Sequence, residues 1–151
     1  MIKKITFALI LFLINSCGYN SIIKNTNSDF SIISIEVQDQ NRSSYKIRNT
    51  LSNYIGLSNK SKNFIIGIKS NIDNKVTSKD AKGDPKTLEL VMTVSLSITE
   101  NQKKYDKKFI KSFAYTTRTN KFDLKNYESS IEDNLIDKIS LEITNYIIEI
   151  S

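Results

Sequence analysis

The 151-residue chain has no histidine and no tryptophan, and only one cysteine and one proline. Without histidine there is no Ser-His-Asp or Cys-His catalysis, no imidazole acid–base work and no Cys/His metal site. With one cysteine no intrachain disulfide can form, so apolar packing alone must hold the domain. Carboxylate-only and Ser-Lys chemistry stay formally open. However, no nucleophile elbow or S-x-x-K motif stands at a plausible site, and the acidic residues fall mostly on polar helix faces. The balance of 22 Lys+Arg against 16 Asp+Glu is a modest basic excess. It suits contact with anionic lipid or phosphate without requiring it.

The single cysteine is the most informative residue. Lys3 and Lys4 precede an apolar run, Ile5 to Ile14, broken only by Thr6. At roughly ten residues the run is about half the length needed to span a bilayer. It does have the length and basic flank of a secretory signal peptide. The run ends in Leu13-Ile14-Asn15-Ser16-Cys17-Gly18. A plain signal peptide cut after Ser16 would leave Cys17 as an unpaired thiol in an oxidising compartment, an unusual outcome. The alternative is a lipobox: small Ser16 before the cysteine and aliphatic Ile14 three before it resemble that of a bacterial lipoprotein. On this reading residues 1–16 are a signal peptide and Cys17 carries a covalent diacylglycerol and an N-acyl chain such as palmitate. Residues 17–29, polar and rich in Asn and Ser, then form a lipidated tether. Gly18 in place of an aspartate resembles lipoproteins sent to the outer membrane, and two or more acyl chains suffice for stable anchoring. Loss of Lys3 and Lys4 would leave 20 basic and 16 acidic residues, a net charge near +4.

From residue 30 onward the pattern is that of one small domain, with no internal repeat. Phe30 to Val37 reads as a strand, with Ile33, Ile35 and Val37 on one face and Phe30 and Ile32 on the other. Ser43 or Ser44 is placed to cap a helix running to about Leu57. Ile47, Leu51, Tyr54 and Ile55 form its apolar stripe, and Lys46, Arg48, Asn49 and Asn53 face away. Asn63 to Val76 is a second extended segment. A loop from Thr77 to Pro85 follows and contains the turn signal Gly83-Asp84-Pro85. Thr87 to Thr99 is the clearest strand. Leu88, Leu90, Met92, Val94, Leu96 and Ile98 share one parity, whereas the other is Thr and Ser with a single Val91. That polar parity faces either water or the polar wall of a partner. Gln102 to Lys108 reads as a basic connection, a solvated turn or a contact for anionic head groups. A fourth strand runs from about Phe109 to Arg118. The last element is a helix from about Asn126 to Ile150, capped by Asp123 or Asn126. Its stripe is Tyr127, Ile131, Leu135, Ile139, Ile143, Tyr146, Ile147 and Ile150.

The order β-α-β-β-β-α predicts an α+β fold. It is a two-layer α/β sandwich with two helices packed on one face of a four-stranded mixed sheet. The first two strands pair in parallel if they are neighbours, because a helix crosses between them. Periodicity does not set the strand order.

Several short stretches resemble the LptE family, the lipoproteins of the outer-membrane lipopolysaccharide assembly machinery. They are Cys17-Gly18-Tyr19 at the opening, Arg48-Asn49-Thr50-Leu51 in the first helix and Leu90-Val91-Met92-Thr93-Val94 in the third strand. Lys108 to Tyr115 in the fourth strand and Phe122-Asp123-Leu124-Lys125-Asn126-Tyr127-Glu128 before the last helix complete the set. Together they cover nearly the whole chain in the family's order. The proline and arginine that usually follow the opening are missing from Asn20 to Lys24. The resemblance implies a non-catalytic protein with no cofactor, no metal and no nucleic acid partner. It would be lipid-anchored in the outer membrane, with its domain in the periplasm or inside a barrel lumen. Its partners would be an LptD-like β-barrel, which it plugs and helps assemble, and lipopolysaccharide. The family places basic residues near lipopolysaccharide at positions matching Lys79, Lys82 and Lys125. Ammonium groups there would pair with lipid A phosphates, although ordinary solvated lysines would look the same in sequence. The alternative is another outer-membrane lipoprotein that docks a partner, of the pilotin or cell-wall synthase activator type.

Overall fold

A computed structural model of the chain describes residues 29–151, so Cys17, the signal peptide and nearly all of the tether lie outside the described residues. The elements are β1 (Phe30–Val37), α1 (Arg42–Leu51), a 3-10 turn (Ser52–Tyr54), β2 (Lys62–Lys79), β3 (Pro85–Glu100), β4 (Lys103–Thr116) and α2 (Lys121–Ile150). The sheet order is β1-β2-β3-β4, with β1 parallel to β2 and the other pairs antiparallel. This is the α+β arrangement expected from the pattern, with the crossover helix α1 joining the one parallel pair.

The core forms where the apolar parity of β3 meets α2. Leu90, Met92, Val94, Leu96 and Ile98 are buried, and so are Ile131, Leu135, Ile139, Ile143 and Ile147 of the α2 stripe. Phe64, Ile66 and Ile68 continue the same face on β2, while Ile47 and Leu51 close it from α1. Phe30 stacks on Tyr54 at 5.1 Å and lies 5.8 Å from Phe64, which seals the end under the 3-10 turn.

β1 departs from simple alternation. A bulge between Ile32 and Ser34 shifts its register against β2. Before the bulge Phe30 and Ile32 face the core; after it Ile35 and Val37 pair beside Ile66 and Ile68 on that same side. Ile33, the extra residue, is pushed out and left 60% exposed. The two apolar parities read in the sequence are thus one buried face with a switch in the middle, not a strand covered on both sides.

The other corrections are at element ends. α1 begins at Arg42 after Asn41, so Ser43 and Ser44 are inside the helix and buried rather than capping it. α1 stops at Leu51, and after the 3-10 turn Ile55 leaves the stripe to bridge the outer edge of β1 at Ile32. Lys46 does not face away: its ammonium lies 2.6 Å from Asp133 of α2. β2 extends to Lys79, so the connection to β3 is shorter than the Thr77–Pro85 loop. The stretch from Lys103 to Lys108 is no connection but the first half of β4. A two-residue turn, Asn101-Gln102 with φ of 43° and 77°, joins it to β3. Both residues occupy the left-handed region that a tight hairpin turn demands. α2 starts five residues before Asn126, at Lys121. Asn120 caps it by accepting from Phe122 N at 2.9 Å and Asp123 N at 3.4 Å.

Two polar devices hold the layers in register. The Asp39 carboxylate accepts from Asn41 N (2.8 Å), Ser44 Oγ (2.9 Å) and Ser70 N (2.6 Å), tying the β1–α1 connection to β2. Between the helices, Arg42 and Lys46 both reach Asp133. Burial works to raise the Asp133 carboxyl, but the Lys46 hydrogen bond and the Arg42 charge prevail and hold it below its usual range. On the outer face, Gly67 makes room for Gln38: a Cβ there would stand 2.4 Å from Ser97 Oγ and 2.7 Å from Gln38 Nε2.

Asp39→Ala should lower unfolding stability by about 2 kcal/mol, since it strands the Ser70 amide and takes the charged acceptor from the buried Ser44 hydroxyl, which keeps only Ser70 Oγ at 2.7 Å. Urea denaturation checks this. Asp133→Asn should cost less than about 1 kcal/mol at neutral pH, the pair being partly exposed. Because the native carboxyl is depressed, that difference should be complete above the usual carboxylate value of about 3.9 and vanish as the pH falls below it. Denaturation of both proteins at pH 7 and pH 3 reads it.

Candidate functional site

The basic stretch 103–108 lies at one end of the molecule, beside the β3–β4 turn, whereas Lys79, Lys82 and Lys125 lie toward the other, where the β2–β3 hairpin turns and α2 begins. β3 leaves this end at Pro85, and β4 returns to it at Thr116, which pairs with Thr87. α2 therefore starts beside the base of the hairpin. The linking segment is fixed there, because Thr117 N donates to Lys86 O at 3.1 Å.

The hairpin tip is a built turn. Asp80 Oδ1 accepts from Lys82 N (2.8 Å) and Asp84 N (3.0 Å). Asp80 N donates to Asp84 O and Gly83 N to Asp80 O, at 2.8 and 3.0 Å. Gly83 takes φ of 89°, which a side chain would resist. The aspartate thus shapes the loop and leaves the lysine side chains outward. Lys79 is the last residue of β2, and Lys82 lies in the turn; both are exposed. Lys125 is exposed in the second turn of α2, inside the helix and not in a lead-in to it. The structure brings the three to the same end without joining them by any hydrogen bond among the described residues.

Sequence reasoning missed the rest of this end. Lys86, Arg118 and Lys121 add to Lys79, Lys82 and Lys125, opposed by Asp80, Asp84 and Asp123. No ion pair among the described residues engages any of the six cations. Arg118 instead lies over the Tyr127 ring at 4.2 Å. Exposed apolar groups sit among them: Phe122 is 70% exposed and Val76 47%. The signal for this cluster is the topology that places Lys86 beside Thr117 and starts α2 at that end, and no local motif carries it.

Behind the basic end a half-buried cluster braces the layers. Glu128 of α2 accepts from Tyr115 Oη of β4 and, at 3.0 Å, from Asn74 Nδ2 of β2; Asn74 also donates to Tyr115 Oη at 2.7 Å. Tyr127 meets Tyr115 edge-on at 6.0 Å. Burial, then the Glu128 hydrogen bond, push the Tyr115 hydroxyl up to about 12. The phenol therefore stays protonated as a donor at any physiological pH. The cluster braces the layers and has no nucleophile–base pair. No group of three or more Asp, Glu, His or Cys suited to a metal occurs among the described residues.

No family model matches the chain, and no curated protein does. The fold, however, is shared with bacterial lipoproteins. Rare lipoprotein B from Shewanella oneidensis superimposes with a TM-score of 0.61 at 12% identity, over 80% of this chain and 98% of that one. Lipoprotein B from Nitrosomonas europaea gives 0.56 at 12% identity, over 80% and 88%. A minor lipoprotein from Acinetobacter baumannii gives 0.53 at 18% identity, over 79% and 93%. At such identities the likeness is one of fold, and it spans nearly the full length of those chains.

The raised Tyr115 hydroxyl makes a pH-dependent contribution with a definite sign. Unfolded tyrosine ionises near 10, so the native state retains the proton longer, and this contribution to stability falls as pH rises from about 10 to about 12. Comparing wild-type and Tyr115→Phe unfolding across that range should show a steeper alkaline loss in the wild type.

Proposed function

We propose that this chain is an outer-membrane lipoprotein of the lipopolysaccharide transport and assembly machinery. It is anchored through Cys17, plugs and supports assembly of an LptD-like β-barrel, and contacts lipopolysaccharide. The observation that carries the reading is a fold shared with bacterial lipoproteins over 80% of the chain, on a sequence whose N-terminal region ends in a lipobox-like Cys17. Among the described residues no helix is long and apolar enough to cross a membrane. On this reading attachment rests with the acylated cysteine.

The physical chemistry of the domain supports a role based on shape and charge. Its outer sheet face carries Thr93, Ser95, Ser97 and Thr99 of β3, hydroxyls able to bond the polar inner wall of a barrel. The basic end supports a contact with lipopolysaccharide: Lys79, Lys82 and Lys125 offer charge-assisted donors to phosphates, and exposed Phe122 and Val76 offer contact to acyl chains.

A tagged copy purified from detergent-solubilised outer membrane should bring down an LptD-like barrel, and depletion of the protein should reduce surface lipopolysaccharide. A pull-down with no barrel, together with intact surface lipopolysaccharide on depletion, refutes the proposal. Cys17→Ala should leave the domain folded but release it from the membrane fraction. Lys82→Glu with Lys125→Glu should weaken lipopolysaccharide binding several-fold at unchanged thermal stability.

A further inference from the structure

β4 is an edge strand of 14 residues, more than twice the usual strand length. Such an edge offers a row of backbone donors and acceptors that a folded protein normally covers or disguises. The opposite edge is partly covered: Ile55 bridges Ile32 of β1, and Gly56 N donates to Ile32 O at 3.1 Å. Among the described residues nothing pairs with the outer edge of β4.

What flanks that edge differs on its two sides. Toward the outer sheet face an open trough of about 340 Å³ is lined by Ser95, Ser97, Lys104 and Lys108 together with Asp106 and Gln38. Lys104 reaches Asp106 at 3.3 Å with both side chains largely exposed; Lys108 has no ion-pair partner among the described residues. Toward the helix layer a second trough of about 350 Å³ lies between β4 and α2. Its floor is Phe109 set edge-on to Tyr146 at 6.2 Å, with Lys107 Nζ 3.9 Å above the Tyr146 ring. Its α2 rim carries Glu149 and Glu142, the latter paired with Lys111 of β4 at 2.5 Å. One side of the edge is thus cationic. The other is aromatic, with its charges balanced by Lys107 and Lys111.

We propose that the free edge of β4 takes an extended segment of a partner protein as a fifth strand. The charge and apolar pattern define that segment, because side chains of an added strand alternate between the two faces. On the outer parity it presents Asp or Glu to Lys104 and Lys108. On the other it presents aliphatic or aromatic side chains to the trough over Phe109 and Tyr146. The occupant is therefore an acidic, amphipathic strand, and binding requires no barrel, so this proposal and the barrel proposal can fail separately.

The test uses the full-length lipidated protein in detergent and a labelled ten-residue peptide alternating Glu with Val or Tyr, read by fluorescence anisotropy. The peptide should bind saturably, and Lys104→Glu with Lys108→Glu should weaken it at least tenfold at unchanged circular dichroism. Two N-methylated versions, each blocking the amides along one edge of the peptide, separate strand addition from charge attraction. One version should lose binding at least tenfold and the other keep it, because only one edge faces β4. Absence of saturable binding, or an equal effect of both methylation patterns, overturns the proposal. So does a double variant that leaves peptide binding intact and instead loses attachment to phosphatidylglycerol vesicles, which would assign the lysines to a membrane surface.

Discussion

The contact on which the rest of this protein depends is the burial of one side of β3 beneath the isoleucine-rich stripe of α2. With no disulfide available, apolar burial is the dominant force favouring the fold, at about 25 cal/mol per Å² of apolar surface removed from water. β3 sits inside the sheet, so β2 and β4 pair on either side of it, and each inherits its inward parity from β3 through the register. α2 covers that face, and α1 fills the space left over β1 and β2. A polar residue at Met92 or Ile139 would strike the point where both layers meet.

This arrangement also determines where function can be. Since the helices occupy one side of the sheet, the other side stays open, with the β3 hydroxyls beside exposed Ile33, Ile65 and Ile110. The β2–β3 hairpin carries its lysines on a turn shaped by Asp80. The link from β4 returns beside it and brings Arg118, Lys121 and Lys125 to the same end. Anchoring, in the proposed reading, is separate from all this and depends on one residue, Cys17. On that reading the domain acts through surface shape, hydroxyls and ammonium groups.

Much of the architecture was legible before any coordinates. Thirteen residues of alternation in β3, broken only by Val91, mark a strand with one buried side, and the α2 stripe marks a helix lying on an apolar layer. The misreadings have local causes. A bulge at Ile33 makes one buried face look like two, since a single extra residue reverses parity. Asn101-Gln102 forms a tight hairpin without the glycine that advertises one, so the lysine-rich half of β4 resembled a loop. Asn120 outcompeted Asp123 and Asn126 as the cap of α2, and Ser43 and Ser44 became buried partners of Glu132 and of the Asp39 cluster.

Read alone, the sequence determined the element order, the inward parity of β3 and α2, the absence of histidine and disulfide chemistry, and the singularity of Cys17. These are properties of spacing and composition, which need no knowledge of what lies across the sheet. Only the tertiary structure decided that β1 and β4 are the edges, that Asp39 binds two layers together, and that six cations meet at one end. It also decided that Lys104 and Lys108 stand beside a free strand while Lys107 covers an aromatic floor. Each of these depends on residues far apart in sequence becoming neighbours, and that is settled by packing and register, which periodicity along one segment does not encode.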